Sequence, residues 1–273
     1  MRTLVHLSDL HFGRIDPQLL EPLARRVRAL RPDVVVVSGD LTQRAKTGQF
    51  EEAKRFLDSL PGPQIVVPGN HDVPLYNLLQ RFLAPLGRYR RIITQDLEPA
   101  YVDEEIAVLG VNTARSLVFK GGRINAEQVA RVRQKLCDLP RHVTRIVVTH
   151  HPFDLPEGGD SRNIVGRARM AIEAFAGCGA DLLLSGHMHA THARHAGERY
   201  GIGAGAPLVV QAGTATSTRG RGEANSFNVL RIAGGRVGIR PFAWDAGAAD
   251  FLPAAQEVYE RGPAGWAPLV SAL

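Results

Sequence analysis

Five short apolar runs in this chain each stop at side chains of the kinds that can bind metals. Thr3 to Leu7 leads into Ser8-Asp9-Leu10-His11. Val34 to Val37 leads, across Ser38, into Gly39-Asp40. Ile65 to Pro68 leads into Gly69-Asn70-His71-Asp72. Ile146 to Val148 leads into Thr149-His150-His151-Pro152, and Leu182 to Leu184, across Ser185, into Gly186-His187-Met188-His189. Runs of this length bounded by turn residues read as buried strands. In open α/β sheets the functional crevice lies beyond the carboxyl ends of the strands. The pattern therefore predicts a sheet that delivers seven ligands, Asp9, His11, Asp40, Asn70, His150, His187 and His189, to one place.

The spacing carries further expectations. In an extended segment residues i and i+2 share a side, so Asp9 and His11 are expected to grip one ion with Leu10 facing away. His187 and His189 repeat that arrangement. Asp40 has two oxygens and is able to bridge two cations. The glycines before Asp40, Asn70 and His187 are expected to give tight turns and positive φ. Four imidazoles, two carboxylates and one amide oxygen, with no thiolate, suit Mn, Fe or Zn and not an all-oxygen calcium cage. Two such ions about 3.5–4 Å apart polarise a phosphoryl oxygen and activate a bridging hydroxide. A lone Asp-x-His or His-x-His is a surface turn in most proteins; five clusters in one order, each behind an apolar run, carry the metal reading.

On these residues the chain resembles the calcineurin-like metallophosphoesterase superfamily, whose pattern is D-x-H, G-D, G-N-H-D/E, H and G-H-x-H. The resemblance implies one metal on Asp9, His11, Asp40 and His189 and a second on Asp40, Asn70, His150 and His187. It also implies that His71 contacts the phosphate and protonates the leaving group. Asp72 is expected to orient His71, as carboxylates often orient imidazoles. The spellings are unlike those of protein Ser/Thr phosphatases, since Gly39-Asp40 continues as Leu41-Thr42-Gln43-Arg44. Purple acid phosphatases add a tyrosine ligand, and no Tyr stands between Asp40 and Asn70. UDP-diacylglucosamine hydrolases have arginine in place of the motif histidine, and His71 is kept here. The best resemblance is to the bacterial branch of class III cyclic-nucleotide phosphodiesterases and glycerophosphodiesterases, with Ser226-Phe227-Asn228-Val229 as a late match.

Between the ligand clusters the pattern alternates strand and helix. Phe50, Ala53, Leu57 and Leu60 fall on one helical face. Leu75, Leu78, Leu79, Phe82 and Leu86 predict another helix after Asp72. Asn125 with Gln128 reads as a capping box, and Ile164, Ala168, Ile172 and Phe175 mark a further helix. After His189 come strands without helices, with a hairpin at Gly234-Gly235. This predicts an α/β fold, a four-layer αββα sandwich in which helices flank two mixed β-sheets; the superfamily resemblance implies the same. The metallophosphoesterase domain is expected over 1–245, with 246–273 as a C-terminal tail without clear period.

At 273 residues the chain can bury one large core. Cys137 and Cys178 are too few for a disulfide framework and are expected to sit reduced in a cytosolic interior. The N-terminus leaves no room for a signal peptide and no apolar run approaches ~20 residues, so a cytoplasmic location is expected. The net charge is +6, which attracts anionic esters. Aromatic interleaving is missing, so nucleic acid is not favoured as a partner. The expected reaction is attack of a metal-bridging hydroxide on a small phosphodiester, a cyclic nucleotide or a glycerophosphodiester. A nuclease, a phosphomonoesterase and a non-catalytic scaffold are the alternatives, and a homodimer fits the resemblance. Arg14, Arg44 and Arg115 are candidate phosphate contacts. The loops 152–163, read as a lid, 213–225 with Arg219 and Arg221, and 112–120 are the places where specificity is expected.

Overall fold

The structure is a computed structural model. It describes all residues except 119–120, 156–158, 190, 204, 219–222, 263–264 and 270–273, and at 194, 195, 197 and 198 it describes the backbone alone. Arg219, Arg221 and the middle of the expected lid thus lie outside the described residues.

The described strands are β1 (Arg2–Leu7), β2 (Val34–Ser38), β3 (Gln64–Val67), β4 (Ala100–Val102), β5 (Ile106–Gly110), β6 (Thr144–Val148), β7 (Leu182–Ser185), β8 (His192–His195), β9 (Leu208–Gln211), β10 (Ser226–Ala233), β11 (Arg236–Asp245), β12 (Asp250–Pro253), β13 (Glu257–Gly262) and β14 (Gly265–Pro268). They form two sheets. The first runs β14-β13-β11-β10-β1-β2-β3, with β12 beside β11, and the second runs β4-β5-β6-β7-β9-β8. Each is mixed. β1, β2 and β3 are parallel while β10 joins β1 antiparallel. β5, β6, β7 and β9 are parallel between antiparallel edges.

The unbroken valine run of β2 has a simple cause. A parallel sheet covered on both faces needs apolar side chains on both. Val34 and Val36 meet Val108, Ile146 and Leu184 of the second sheet. Val35 and Val37 pack with Leu23, Val27, Phe50 and Leu57 from α1 (Leu20–Leu30) and α2 (Thr47–Asp58). Burying one such side chain contributes roughly 1.5–3 kcal/mol before its entropy is counted. On the other side Leu109, Val147 and Leu183 pack with Val129, Leu136, Ile172 and Phe175. The sandwich is therefore helix, sheet, sheet, helix, as expected.

Two short helices, α3 (Leu78–Leu83) and α4 (Gly87–Ile92), follow β3. α5 (Ala126–Cys137) starts at the expected box: Gln128 N donates to Asn125 Oδ1 at 2.8 Å and Asn125 N to Gln128 Oε1 at 3.1 Å. α6 (Ala168–Gly177) and α7 (Gly197–Tyr200) complete the set. Gly234 and Gly235, with φ of 52° and 79°, turn the β10–β11 hairpin.

Three expectations are corrected. Cys137 and Cys178 form a disulfide. α5 and α6 lie side by side, and their ends bring the two Cα atoms to 4.7 Å, inside disulfide reach. The helix expected after Asp72 is instead a 3-10 turn at Asn70–Asp72 followed by α3 and α4. Leu78, Leu79 and Phe82 are exposed, and Arg81 is the buried member of α3. Finally, the segment 246–273, which shows no period, supplies β12, β13 and β14 to the first sheet.

Candidate metal centre

The seven expected ligands follow β1, β2, β3, β6 and β7, and the loops there bring them together. His11 Nε2 lies 3.2 Å from His189 Nε2, 3.4 Å from Asp9 Oδ1 and 3.7 Å from Asp40 Oδ2. His189 Nε2 is 3.2 Å from Asp9 Oδ1. On the other side His150 Nε2 is 3.3 Å from Asp40 Oδ2, 3.1 Å from Asn70 Oδ1 and 3.3 Å from His187 Nδ1. Ligands about 2.1 Å from a common ion lie about 3.0 Å apart when octahedral and about 3.4 Å apart when tetrahedral. The two sets have that spacing, and Asp40 Oδ2 belongs to both.

The carboxylates fit cations for a second reason. Asp9 is fully buried. Its Oδ2 accepts from Ser8 Oγ at 2.6 Å and from His187 N at 2.9 Å, while its Oδ1, beside the ring nitrogens of His11 and His189, accepts no hydrogen bond among the described residues. A bare buried carboxylate oxygen is costly unless a cation faces it. Asp40 Oδ1 accepts from His71 N at 2.8 Å, which leaves Oδ2 for the centre.

Charge is balanced by the histidines. Burial opposes ionisation of Asp9, but His189 and His11 hold its carboxyl well below the usual range. Asp40 is likewise held low against burial, chiefly by His150. Burial pushes His150 down, yet the Asp40 carboxylate outweighs it and lifts the imidazole to about 9. Burial and the charge on His150 push His187 down to about 3.

Outer contacts aim the rings. His150 Nδ1 donates to Ser38 O at 2.7 Å, so Nε2 faces the centre. His187 presents Nδ1 inward, with Nε2 3.4 Å from Asn163 Oδ1. His71 stands at the rim, partly open to solvent, with Nε2 4.0 Å from Asp40 Oδ2. Its Nδ1 lies 3.0 Å from Gln43 O. The expectation that Asp72 orients His71 is corrected. Asp72 accepts from Gly69 N, Leu41 N, Thr42 N and Thr42 Oγ1, at 2.9–3.2 Å, and so sews the loops after β2 and β3 together.

The backbone departs from the expected extended i, i+2 geometry. Asp9, His11, Asp40, His187 and His189 all have positive φ, between 52° and 71°. That region is strained for most residues, and Asp and His enter it more readily than branched ones. Of the three preceding glycines only Gly39 has positive φ, at 87°. Gly69 and Gly186 are needed for space: a Cβ would overlap Asp40 at the first and Ser8 at the second. Sequence reasoning assigned no role to Ser8, Ser38, Gln43 or Asn163. Only Ser8 is contiguous with a ligand; the others arrive through the fold and have no local signal.

The candidate arginines are placed differently. Arg14 is exposed on the loop after His11. Arg44 donates to Gln43 O at 3.3 Å and its guanidinium lies over the Tyr76 ring at 5.6 Å. Arg115 is engaged by Asn112 O, Ala114 O and Gln128 Oε1, and so braces its own loop.

Known proteins resemble the chain in sequence and fold. The chain is 27% identical over 163 residues to a glycerophosphodiester phosphodiesterase of Enterobacter lignolyticus, covering 56% of this chain and 58% of that protein. The chain thus spans less than two thirds of that relative. It is 26% identical over 260 residues to a cAMP/cGMP dual specificity phosphodiesterase of Mycobacterium tuberculosis, covering 84% and 75%. A purple acid phosphatase from yellow lupin seeds shares the fold, with a TM-score of 0.68 at 12% identity, covering 94% of this chain and 53% of that one. The family model for calcineurin-like phosphoesterases matches residues 2–191, a span that holds all seven candidate ligands. The chain belongs to the calcineurin-like phosphoesterase family.

Proposed function

We propose that the chain is a metal-dependent phosphodiester hydrolase acting on a small diester, a cyclic nucleotide or a glycerophosphodiester. The carrying observation is the placement of Asp40 Oδ2 between two sets of donors, 3.3 Å from His150 and 3.7 Å from His11. Asp9, His11, Asp40 and His189 would hold one cation, and Asp40, Asn70, His150 and His187 the other. Bound ions of the Mn, Fe or Zn kind supply Lewis acidity to the phosphoryl group and lower the pKa of water.

The remaining work falls to side chains. His71, with Nδ1 donating to Gln43 O, keeps Nε2 for a proton that it passes to the departing alcohol oxygen. Arg14 and Arg44 are the proposed phosphate contacts. The diester preference rests on the relatives, whose names specify phosphodiesterases.

The test is a substrate panel with Mn: bis-p-nitrophenyl phosphate, p-nitrophenyl phosphate, cyclic AMP and single-stranded DNA. Turnover of the diester and of cyclic AMP is expected. Turnover of the monoester alone would overturn the diester reading, preference for DNA would favour a nuclease, and a metal-loaded but inert protein would favour a scaffold.

A further inference from the structure

Six large apolar side chains stand out from the surface beside the metal cluster. Tyr76, Leu78, Leu79, Phe82, Leu83 and Leu117 are between 53% and 80% exposed. They are six of the eleven exposed large apolar side chains among the described residues, so random scatter does not account for them. α3 sets most of them there by facing opposite to a core helix. At about 100° per residue, Leu78, Leu79, Phe82 and Leu83 fill an arc of about 140°. Arg81, on the far side, is 2% exposed. It donates to Ser116 O at 2.6 Å, Pro74 O at 3.0 Å and Val118 O at 3.4 Å. The guanidinium clamps α3 to the 116–118 loop with the apolar arc turned to water.

The surroundings are cationic. Residues 73–95 contain Arg81, Arg88, Arg90 and Arg91 and no Asp or Glu. Arg90 and Arg91 are exposed. A cleft of about 420 Å³ opens beside α3, lined by Leu83, Pro85, Leu86 and Leu97, with Arg90 at its wall.

We propose that this face docks on an anionic lipid surface, with the apolar side chains entering the acyl boundary and Arg90 and Arg91 meeting the headgroups. A raised apolar arc with a basic margin is the pattern of segments that lie in the membrane interface. A second copy fits less well. Pairing through the same face sets arginines against arginines, and like charges across an interface are costly. No described helix is long and apolar enough to cross a membrane. Tyr76 lies under Arg44, and Gln43, the residue before, holds His71. The docked face is therefore continuous with the mouth of the metal cluster and brings lipid headgroups to it. Binding is read without turnover, so the inference stands or falls apart from the phosphodiesterase reading.

The full chain would be sedimented with vesicles of phosphatidylcholine alone and of equimolar phosphatidylcholine and phosphatidylglycerol. It is expected to bind the mixed vesicles and not the neutral ones. Leu79→Ser with Leu83→Ser, both at exposed sites, should cut partitioning roughly ten-fold or more. Arg90→Gln with Arg91→Gln should weaken it and reduce its salt dependence. Three results would overturn the idea. One is no binding to either vesicle. Another is binding that the serine variant leaves unchanged, which would reflect general basic charge. The third is a wild-type dimer that the serine variant converts to monomer, which would make a second copy the occupant.

Discussion

The imidazole of His71 is held by the backbone carbonyl of Gln43, 3.0 Å from Nδ1, and not by the carboxylate next to it in sequence. A carbonyl accepts only, so Nδ1 carries the hydrogen and Nε2 is the ring nitrogen on the Asp40 side. His71→Ala should lower kcat on bis-p-nitrophenyl phosphate by about 10²–10⁴-fold, the usual range for a lost general acid. Metal content by plasma emission should stay at the wild-type value. A loss of metal would make His71 a ligand.

Asn70→Ala removes the amide oxygen 3.1 Å from His150 Nε2. The variant should hold fewer metals per chain than the wild type and turn over little substrate. Unimpaired rates at wild-type metal content would break the assignment of Asn70 to the second cation.

Metal uptake should release protons. The metal-free protein holds His150 protonated up to about pH 9, because Asp40 outweighs the cost of burial. A cation needs the neutral ring. Affinity for Mn should therefore rise with pH up to about 9 and then level. Calorimetric titration in buffers of different ionisation enthalpy at pH 7.5 reads the protons directly, and a buffer-independent enthalpy would contradict the charge state given for His150.

Acid should weaken the metal-free fold through His6. This ring is buried with Nε2 2.9 Å from Ser38 Oγ, and burial lowers its pKa to about 3. The unfolded chain takes up that proton near pH 6.5 and the folded chain only near 3. Between those values the unfolded state binds more protons, so stability falls as pH falls, by up to about 1.4 kcal/mol per pH unit. Thermal melts of the wild type and His6→Gln from pH 6.5 to 4.5 should show the shallower decline in the variant. Parallel declines would remove His6 as the cause.

The disulfide should be a stabiliser. It joins residues 41 apart, and closing a loop of that length is worth about 4 kcal/mol by chain entropy. Dithiothreitol, or Cys137→Ser with Cys178→Ser, should lower the melting temperature by several degrees. Unchanged melting would show that the packing of α5 on α6 already supplies that order.

Much of this architecture was legible because it follows from local rules. Val34 to Val37 read as a buried strand since a doubly covered sheet admits nothing polar there. Asn125 and Gln128 marked the start of α5 because a capping box is a contact between near neighbours. The gathering of the seven candidate donors was legible because each sits beside a strand end. Contacts that the chain makes at long range were not. Cys137 and Cys178 meet only when two helices are laid side by side, and Gln43 reaches His71 across 28 residues. The exposure of α3 is not legible for another reason. Its apolar spacing is that of a core helix, and period alone does not say which face turns inward. The burial of Arg81 decides that. β12, β13 and β14 are not legible because Ala, Gly and Pro blur the alternation that marks a strand.

The left-handed backbone at Asp9, His11, Asp40, His187 and His189 restricts what evolution or a designer can do with the centre. Each of those positions is filtered twice, once for a donor atom and once for tolerance of an uncommon turn. A β-branched replacement there removes the candidate donor and also strains the loop, so the damage reaches the neighbouring donors. The converse holds for transplantation. Copying the side chains onto another scaffold would fail unless the turns were copied with them, because the backbone torsions are part of what points the donors at a common centre.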